Sequence, residues 1–220
     1  MNDAAATDCP EREFALRSYR ALSANYDASC RWIGSSRRQA IALLRLRPGQ
    51  TVVDVGAGTG LSLPALSAAV GRAGRVIAIE LSPEMAAAAA KRVRTLALAN
   101  VELIVAPVED ARIRTHCDAL LFHYTHDVLR APKALGRLFA SARPGLRVVV
   151  AGFKLPSDWR RVLNAWHRRR AWGYLSTFEG AQKPWSHLLQ HVPDFQVHAE
   201  SLLGNGYIGS GTYCGRANRR

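Results

Sequence analysis

From residue 51 onward the apolar positions of this chain switch repeatedly between two rhythms. Short β-branched runs predict strands over 52–55, 76–80, 101–106, 119–122 and 148–153. Between them, apolar residues recur at three- and four-residue spacing and predict helices over 61–70, 83–96 and 131–142. Strand and helix in alternation imply an α/β fold, a doubly wound parallel sheet with helices on both faces. The ligand crevice of such a sheet lies at the carboxyl ends of its strands, where strand order reverses. Upstream, Phe14, Tyr19, Leu22 and Tyr26 predict one or two short helices over 11–30. A further helix over 35–46 ends before the Pro48–Gly49 turn, and residues 1–10 read as a tail. After residue 153 the alternation stops. A Trp- and Arg-rich stretch predicts a helix capped by Ser157 and reaching residue 171, then a shorter one over 184–191. The runs FQVHAESLL and YIGSGTYCGR flank Gly204, Asn205 and Gly206 and read as an antiparallel hairpin.

The junction of the first strand and the next helix carries the chemistry. It reads TVVDVGAGTGLSLP, with Gly56, Gly58 and Gly60 in a G-x-G-x-G spacing after Asp54. Glycines at a strand-to-helix turn let backbone N–H groups approach a ligand closely. The dinucleotide fingerprint needs a third glycine where Leu61 stands, so the spacing suits a ligand without a pyrophosphate. Glu80 closes the second strand, 20 residues after Gly60, where a carboxylate can accept hydrogen bonds from both ribose hydroxyls. Asp54 can meet an ammonium group, or can cap the glycine turn. S-adenosyl-L-methionine combines ribose, adenine and ammonium and has no phosphate.

The motifs VVDVGAGTG, VIAIELSPEM, NVELIVAPVEDA, CDALLFHYTHDVL and ARPGLRVVVAGFK resemble, in order, those of class I S-adenosylmethionine-dependent methyltransferases. The upstream SANYDASCRWIGSSRRQAIALLRLRPGQ resembles the small-molecule branch typified by the ubiquinone and menaquinone biosynthesis C-methyltransferases. The resemblance implies a Rossmann-like, seven-stranded, mainly parallel sheet whose last strand is antiparallel. It also implies one methyltransferase domain over 1–220. Residues 1–50 would form a helical cap, 51–153 the cofactor core, 154–192 an acceptor lid and 193–220 a C-terminal hairpin. The cofactor would be S-adenosyl-L-methionine, leaving as S-adenosyl-L-homocysteine. Its contacts would come from Tyr26, Asp54, Gly56, Ala57, Gly58, Gly60, Glu80, Leu81, Met85, Val108, Glu109, Phe122 and His123. Met85 either packs near the adenine or belongs to the core. Pro107 stands where the family often has a polar residue, which leaves the backbone N–H of Val108 and the side chains of Glu109 or Asp110 for the adenine edge.

Methyl transfer is an in-line displacement, and holding the reactants together supplies much of the acceleration. A base is needed only where the acceptor begins protonated. His126 and His123 are the candidate bases, with Tyr124 beside them in FHYTHDVL. Asp127 could orient one ring, or one histidine packs on the cofactor while the other caps a helix. In the lid, Trp159, Trp166 and Trp172 could wall an acceptor. Arg160, Arg161, Arg168, Arg169 and Arg170 could meet anions or form a solvated face.

Composition narrows the partners. With 30 basic against 17 acidic residues the chain carries a formal charge of +13, which favours anionic partners, although arginine-rich composition alone can produce it. The leading acceptor is a small organic molecule: a natural product, a quinone-like compound or an amine. The alternative is a phospholipid headgroup at a membrane surface. Nucleic acid is disfavoured because the base-methylating tetrad, Asn/Asp-Pro-Pro-aromatic, is replaced by FHYT. A cofactor-binding protein without turnover is a further alternative. The acidic, polar start MNDAAATDCPERE is not a secretory signal, so a cytoplasmic location, peripheral to membrane at most, is expected. Cys9, Cys30, Cys117 and Cys214 lack ligand spacing, and His187 with His191 lacks a third ligand, so neither disulfides nor a metal site are expected.

Overall fold

The computed structural model describes Asp27, Cys30 and residues 33–171 and 177–215. Seven strands form one sheet: β1 (Thr51–Val55), β2 (Arg75–Glu80), β3 (Val101–Val105), β4 (Cys117–His123), β5 (Ala142–Phe153), β6 (Gln196–Glu200) and β7 (Gly206–Thr212). Their order is β3-β2-β1-β4-β5-β7-β6. Every pairing from β3 to β5 is parallel, and β7 runs antiparallel to both β5 and β6. The expected seven-stranded, mainly parallel sheet with its antiparallel closing strand is what forms. Strand order reverses at β1, whose neighbours are β2 and β4.

Helix α1 (Gly34–Leu43) precedes β1, α2 (Leu63–Val70) and α3 (Pro83–Thr95) connect β1 to β2 and β2 to β3, and α4 (His126–Leu129) and α5 (Pro132–Ala140) lie between β4 and β5. The pleat decides which side chains meet them. Val52, Val76, Ala78, Ala119 and Leu121 face Ala40, Leu63, Leu66 and Ala89 of α1 to α3. Val53, Val55, Ile77, Ile79, Leu120 and Phe122 face the opposite way, onto Leu129, Leu135, Leu138 and Phe139 of α4 and α5. Apolar burial on both faces is the main stabilising contribution, at roughly 25 cal/mol per Å² removed from water.

Local chemistry sets the helix starts. Ser82 caps α3 by accepting a hydrogen bond from the Met85 N–H at 3.3 Å, with Pro83 in the first turn. α2 begins at Leu63 rather than residue 61, because the Gly60 turn continues through a Leu63 N–H to Gly60 carbonyl bond of 3.1 Å.

Beyond β5 the lid differs from the sequence expectation. Asp158, not Ser157, caps the segment: its carboxylate accepts from the Arg160 N–H at 2.9 Å and opens a tight turn over Trp159–Leu163, followed by α6 (Asn164–Ala171). The helix expected over 184–191 is a series of turns with one short helical turn, Leu188–Gln190. Segments this short gain little from helix formation alone, and packing of Leu188 and Val192 into the core settles the path.

Candidate active site

The β1–α2 turn is built for close approach. Gly56, Gly58 and Gly60 all have positive φ, at 69°, 58° and 79°. A Cβ on Gly56 would lie 2.4 Å from Thr125 Cγ2, and one on Gly60 would lie 2.8 Å from Leu63 Cδ1. Only glycine fits these two positions without displacing a neighbour. The Ala57 N–H donates to the Ile79 carbonyl at 2.9 Å, which holds the turn against β2.

Three polar side chains emerge on the same side of the sheet, and the register explains why. Asp54 lies opposite Ala78 and Leu121, whose side chains face α1 to α3. Glu80 and His123 stand two residues beyond those partners and share their face. Asp54 is 2% exposed and its Oδ2 has no hydrogen-bond partner among the described residues. Burial pushes its carboxyl up to about 7, assisted by the negative Glu80 and opposed by Arg37. Glu80 is 6% exposed. Its Oε2 accepts from the Gly58 N–H at 2.7 Å and its Oε1 from the Ser82 N–H at 2.8 Å. Burial raises its carboxyl as well, against those backbone hydrogen bonds. One carboxylate therefore fastens the glycine turn to the start of α3.

Arg37 is a residue that the motifs gave no reason to select. From α1 its positive charge acts on Asp54, His123 and Tyr124 together. Burial first, then Arg37, lowers the His123 ring to about 3, so the imidazole is neutral throughout the physiological range. A ring this weakly basic is a poor proton acceptor at neutral pH. Tyr124 adopts φ 60°, unusual for a side chain of its size, and its N–H donates to the Ala151 carbonyl at 2.7 Å. Burial raises its phenol to about 12 against a hydrogen bond with Ser36 of α1, so it stays protonated. His126 occupies a different environment. It opens α4, is buried, and its ring is lowered by burial while Asp127 and the Glu179 backbone oppose that shift. The cation that acts on it is Arg130, which lowers the ring further.

The remaining expected contacts divide by position. Met85 is buried at the start of α3, and Val108 is buried in the short turn Val108–Asp110 after β3, with Glu109 beside it. Leu81 and Ala57 are partly exposed next to Glu80 and Gly58. The Phe122 ring does not enter the crevice: the pleat sends it to the opposite face, where it is fully buried with Val55 and Leu129, so only its backbone reaches the strand end. Tyr26 and Trp172 lie outside the described residues. Asp27, however, is a clear participant. It accepts from Thr59 Oγ1 at 2.6 Å and pairs with Arg92 at 2.5 Å, while Arg92 also donates to the Thr59 carbonyl. Asp27 thus ties the chain ahead of α1 to the glycine turn.

Among the described residues no group of histidines, cysteines and carboxylates is suited to a metal ion, and no helix is long and apolar enough to cross a membrane. Among the described residues no disulfide joins Cys30, Cys117 or Cys214.

The fold is the one seen in S-adenosylmethionine-dependent methyltransferases. The protein-L-isoaspartate(D-aspartate) O-methyltransferase family model matches residues 11–110. An uncharacterized 37.1 kDa protein in transposon TN4556 of Streptomyces fradiae is 37% identical over 120 residues, 53% of this chain and 32% of that protein. The ubiquinone/menaquinone biosynthesis C-methyltransferase UbiE of Salmonella arizonae is 30% identical over 124 residues, 54% of this chain and 49% of the enzyme. The chain therefore spans no more than about half the length of these curated relatives. The DhpI–SAH complex superposes with a TM-score of 0.61 at 18% identity, covering 94% of this chain and 98% of DhpI.

Proposed function

We propose that this chain transfers a methyl group from S-adenosyl-L-methionine to a small organic acceptor, acting as a single domain. The observation that carries the reading is the shared face of Asp54, Glu80 and the glycine turn. There a buried carboxylate keeps one oxygen with no hydrogen-bond partner among the described residues, beside backbone that only glycine can supply. These groups fit the cofactor. Glu80 would hold the ribose, and Val108 with Met85 would border the adenine. The amino-acid end is a zwitterion: its ammonium suits Asp54 and its carboxylate suits Arg37. When bound, S-adenosyl-L-methionine supplies an activated, cationic methyl donor.

The chain's own residues then orient and shield. The neutral His123 ring and the protonated Tyr124 hydroxyl offer hydrogen bonds without adding positive charge beside a sulfonium. His126, whose neighbour Asp127 opposes the lowering by burial and Arg130, is the better candidate to take a proton where the acceptor carries one. The lid after β5 supplies the acceptor wall. The isoaspartate family match covers the cofactor half and stops before this lid, so it supports the chemistry and leaves the acceptor to the small-molecule class.

Titration calorimetry with S-adenosyl-L-methionine, S-adenosyl-L-homocysteine and NAD tests the reading. Heat with the first two and none with NAD is expected. Heat with NAD alone, or with none of the three, overturns it.

A further inference from the structure

The rim above the crevice has an unusual surface. Leu202 is 93% exposed and Leu203 40% exposed in the β6–β7 turn, and Val162 and Trp166 are 77% and 45% exposed across the start of α6. The two elements are joined. Arg160 packs so closely on Gly204 that a Cβ there would lie 2.7 Å from the guanidinium carbon, and it pairs with Glu200 at 3.3 Å. The Lys154 N–H donates to the Asn205 carbonyl at 2.9 Å. Four large apolar side chains therefore stand on one connected rim.

Its charge is one-sided. The nearby acids are each matched: Asp158 by Arg160, Glu200 by Lys154 and Arg160, and Glu179 by Arg130. Arg161, Arg168 and Arg169 are exposed beside the apolar residues and add net positive charge. Exposed leucine and tryptophan among arginines suit an interface that is apolar inside and anionic at its surface. A nucleic-acid groove would match the arginines but give Leu202 and Val162 nothing apolar to enter.

Topology gives the rim a direction. β6 is parallel to β5, so the β6–β7 turn and the segment after β5 both lie at the carboxyl ends of the strands, the end that holds Asp54 and Glu80.

We propose that this rim docks on the surface of an anionic phospholipid bilayer, with Leu202, Leu203, Val162 and Trp166 entering the headgroup boundary and the arginines meeting lipid phosphates. Docking turns the mouth of the crevice toward the lipid. The proposal does not depend on methyl transfer, and its assay needs no cofactor.

Co-sedimentation of the full chain with phosphatidylcholine vesicles, with and without phosphatidylserine, tests it. Binding to the anionic vesicles that weakens as salt rises is expected. The double variant Leu202→Asp, Leu203→Asp should partition more than about tenfold less strongly while keeping the wild-type circular dichroism spectrum and melting temperature. If that variant melts early, Val162→Asp is the substitute, with the same loss expected. Equal binding to neutral vesicles, or binding that these variants do not reduce, overturns the proposal. So does salt-sensitive binding to a DNA duplex with no binding to vesicles.

Discussion

The two ends of the central sheet are made from the same strands and do opposite things. At the amino ends, an open groove of about 1070 Å³ runs between the α2–β2 and α3–β3 loops, lined in part by Ser67, Arg75, Asn100 and Glu102. Its polar groups are used up internally. Asn100 donates to the Gly71 carbonyl at 2.8 Å and accepts from Ser67 Oγ at 2.6 Å, and Asp118 accepts from the Thr51 N–H at 2.8 Å. At the carboxyl ends there is more unmet demand: Asp54 Oδ2, His123 Nε2 and Thr125 Oγ1 are buried without hydrogen-bond partners among the described residues. Buried polar groups are ordinarily satisfied, so the unsatisfied set, rather than the amino-end groove, supports the proposed ligand site. The amino end spends its polar groups on its own loops, and the carboxyl end leaves several of its own unmet.

Substitutions can break that contrast. The largest effect is expected from Gly58→Arg, which fills the turn at φ 58° and should leave no measurable S-adenosyl-L-methionine binding by calorimetry while the circular dichroism spectrum is retained. Next is Asp54→Asn. It should weaken the cofactor by about 1.5–3 kcal/mol, the range for a charge-assisted hydrogen bond, and at the same time raise the melting temperature above pH 7.

The sign of that second effect follows from burial. In the folded chain the Asp54 carboxyl titrates near 7, against 3.8 when unperturbed, so between those values the folded state holds a proton that the unfolded state has released. Stability should therefore fall as pH rises from about 4 to 7, with Glu80 adding in the same direction. Cofactor affinity should move the other way, rising through pH 7 as Asp54 ionises to meet the ammonium. Denaturation midpoints and calorimetry across this range check both slopes, and Asp54→Asn should flatten its share of each.

At the amino end the pattern reverses. Asn100→Ala should cost about 1 kcal/mol in urea unfolding and leave cofactor affinity unchanged. Arg75→Ala should have the smallest effect, within about 0.5 kcal/mol, because the Arg75–Glu102 pair spans 3.5 Å between two half-exposed side chains. A loss of cofactor binding from either would erase the contrast.

Much of the carboxyl end was legible in the chain. Positive φ at three clustered positions can be read from glycine itself, and Asp54 and Glu80 follow from their places at strand ends. The side to which the Phe122 ring turns was not legible from its place next to the site: the pleat puts His123 on one side and Phe122 on the other. Arg37 was not legible. The polar positions of α1 include Arg37, Arg38 and Gln39 in succession, and their pattern does not say which will meet β1 and β4. Nor was the partnership of Asp27 with Arg92, 65 residues apart, since ion pairs of that reach leave no local periodicity. In the lid, Ser157 and Asp158 are both good caps, and only the backbone path selected the aspartate.

The knot of Asp27, Thr59 and Arg92 has a thermodynamic corollary. It ties Asp27, ahead of α1, to the loop that would receive the cofactor. A ligand that steadies Thr59 also steadies Asp27, and linkage is reciprocal. Whatever grips the leading segment must therefore tighten the nucleoside by the same factor with which the nucleoside tightens that grip.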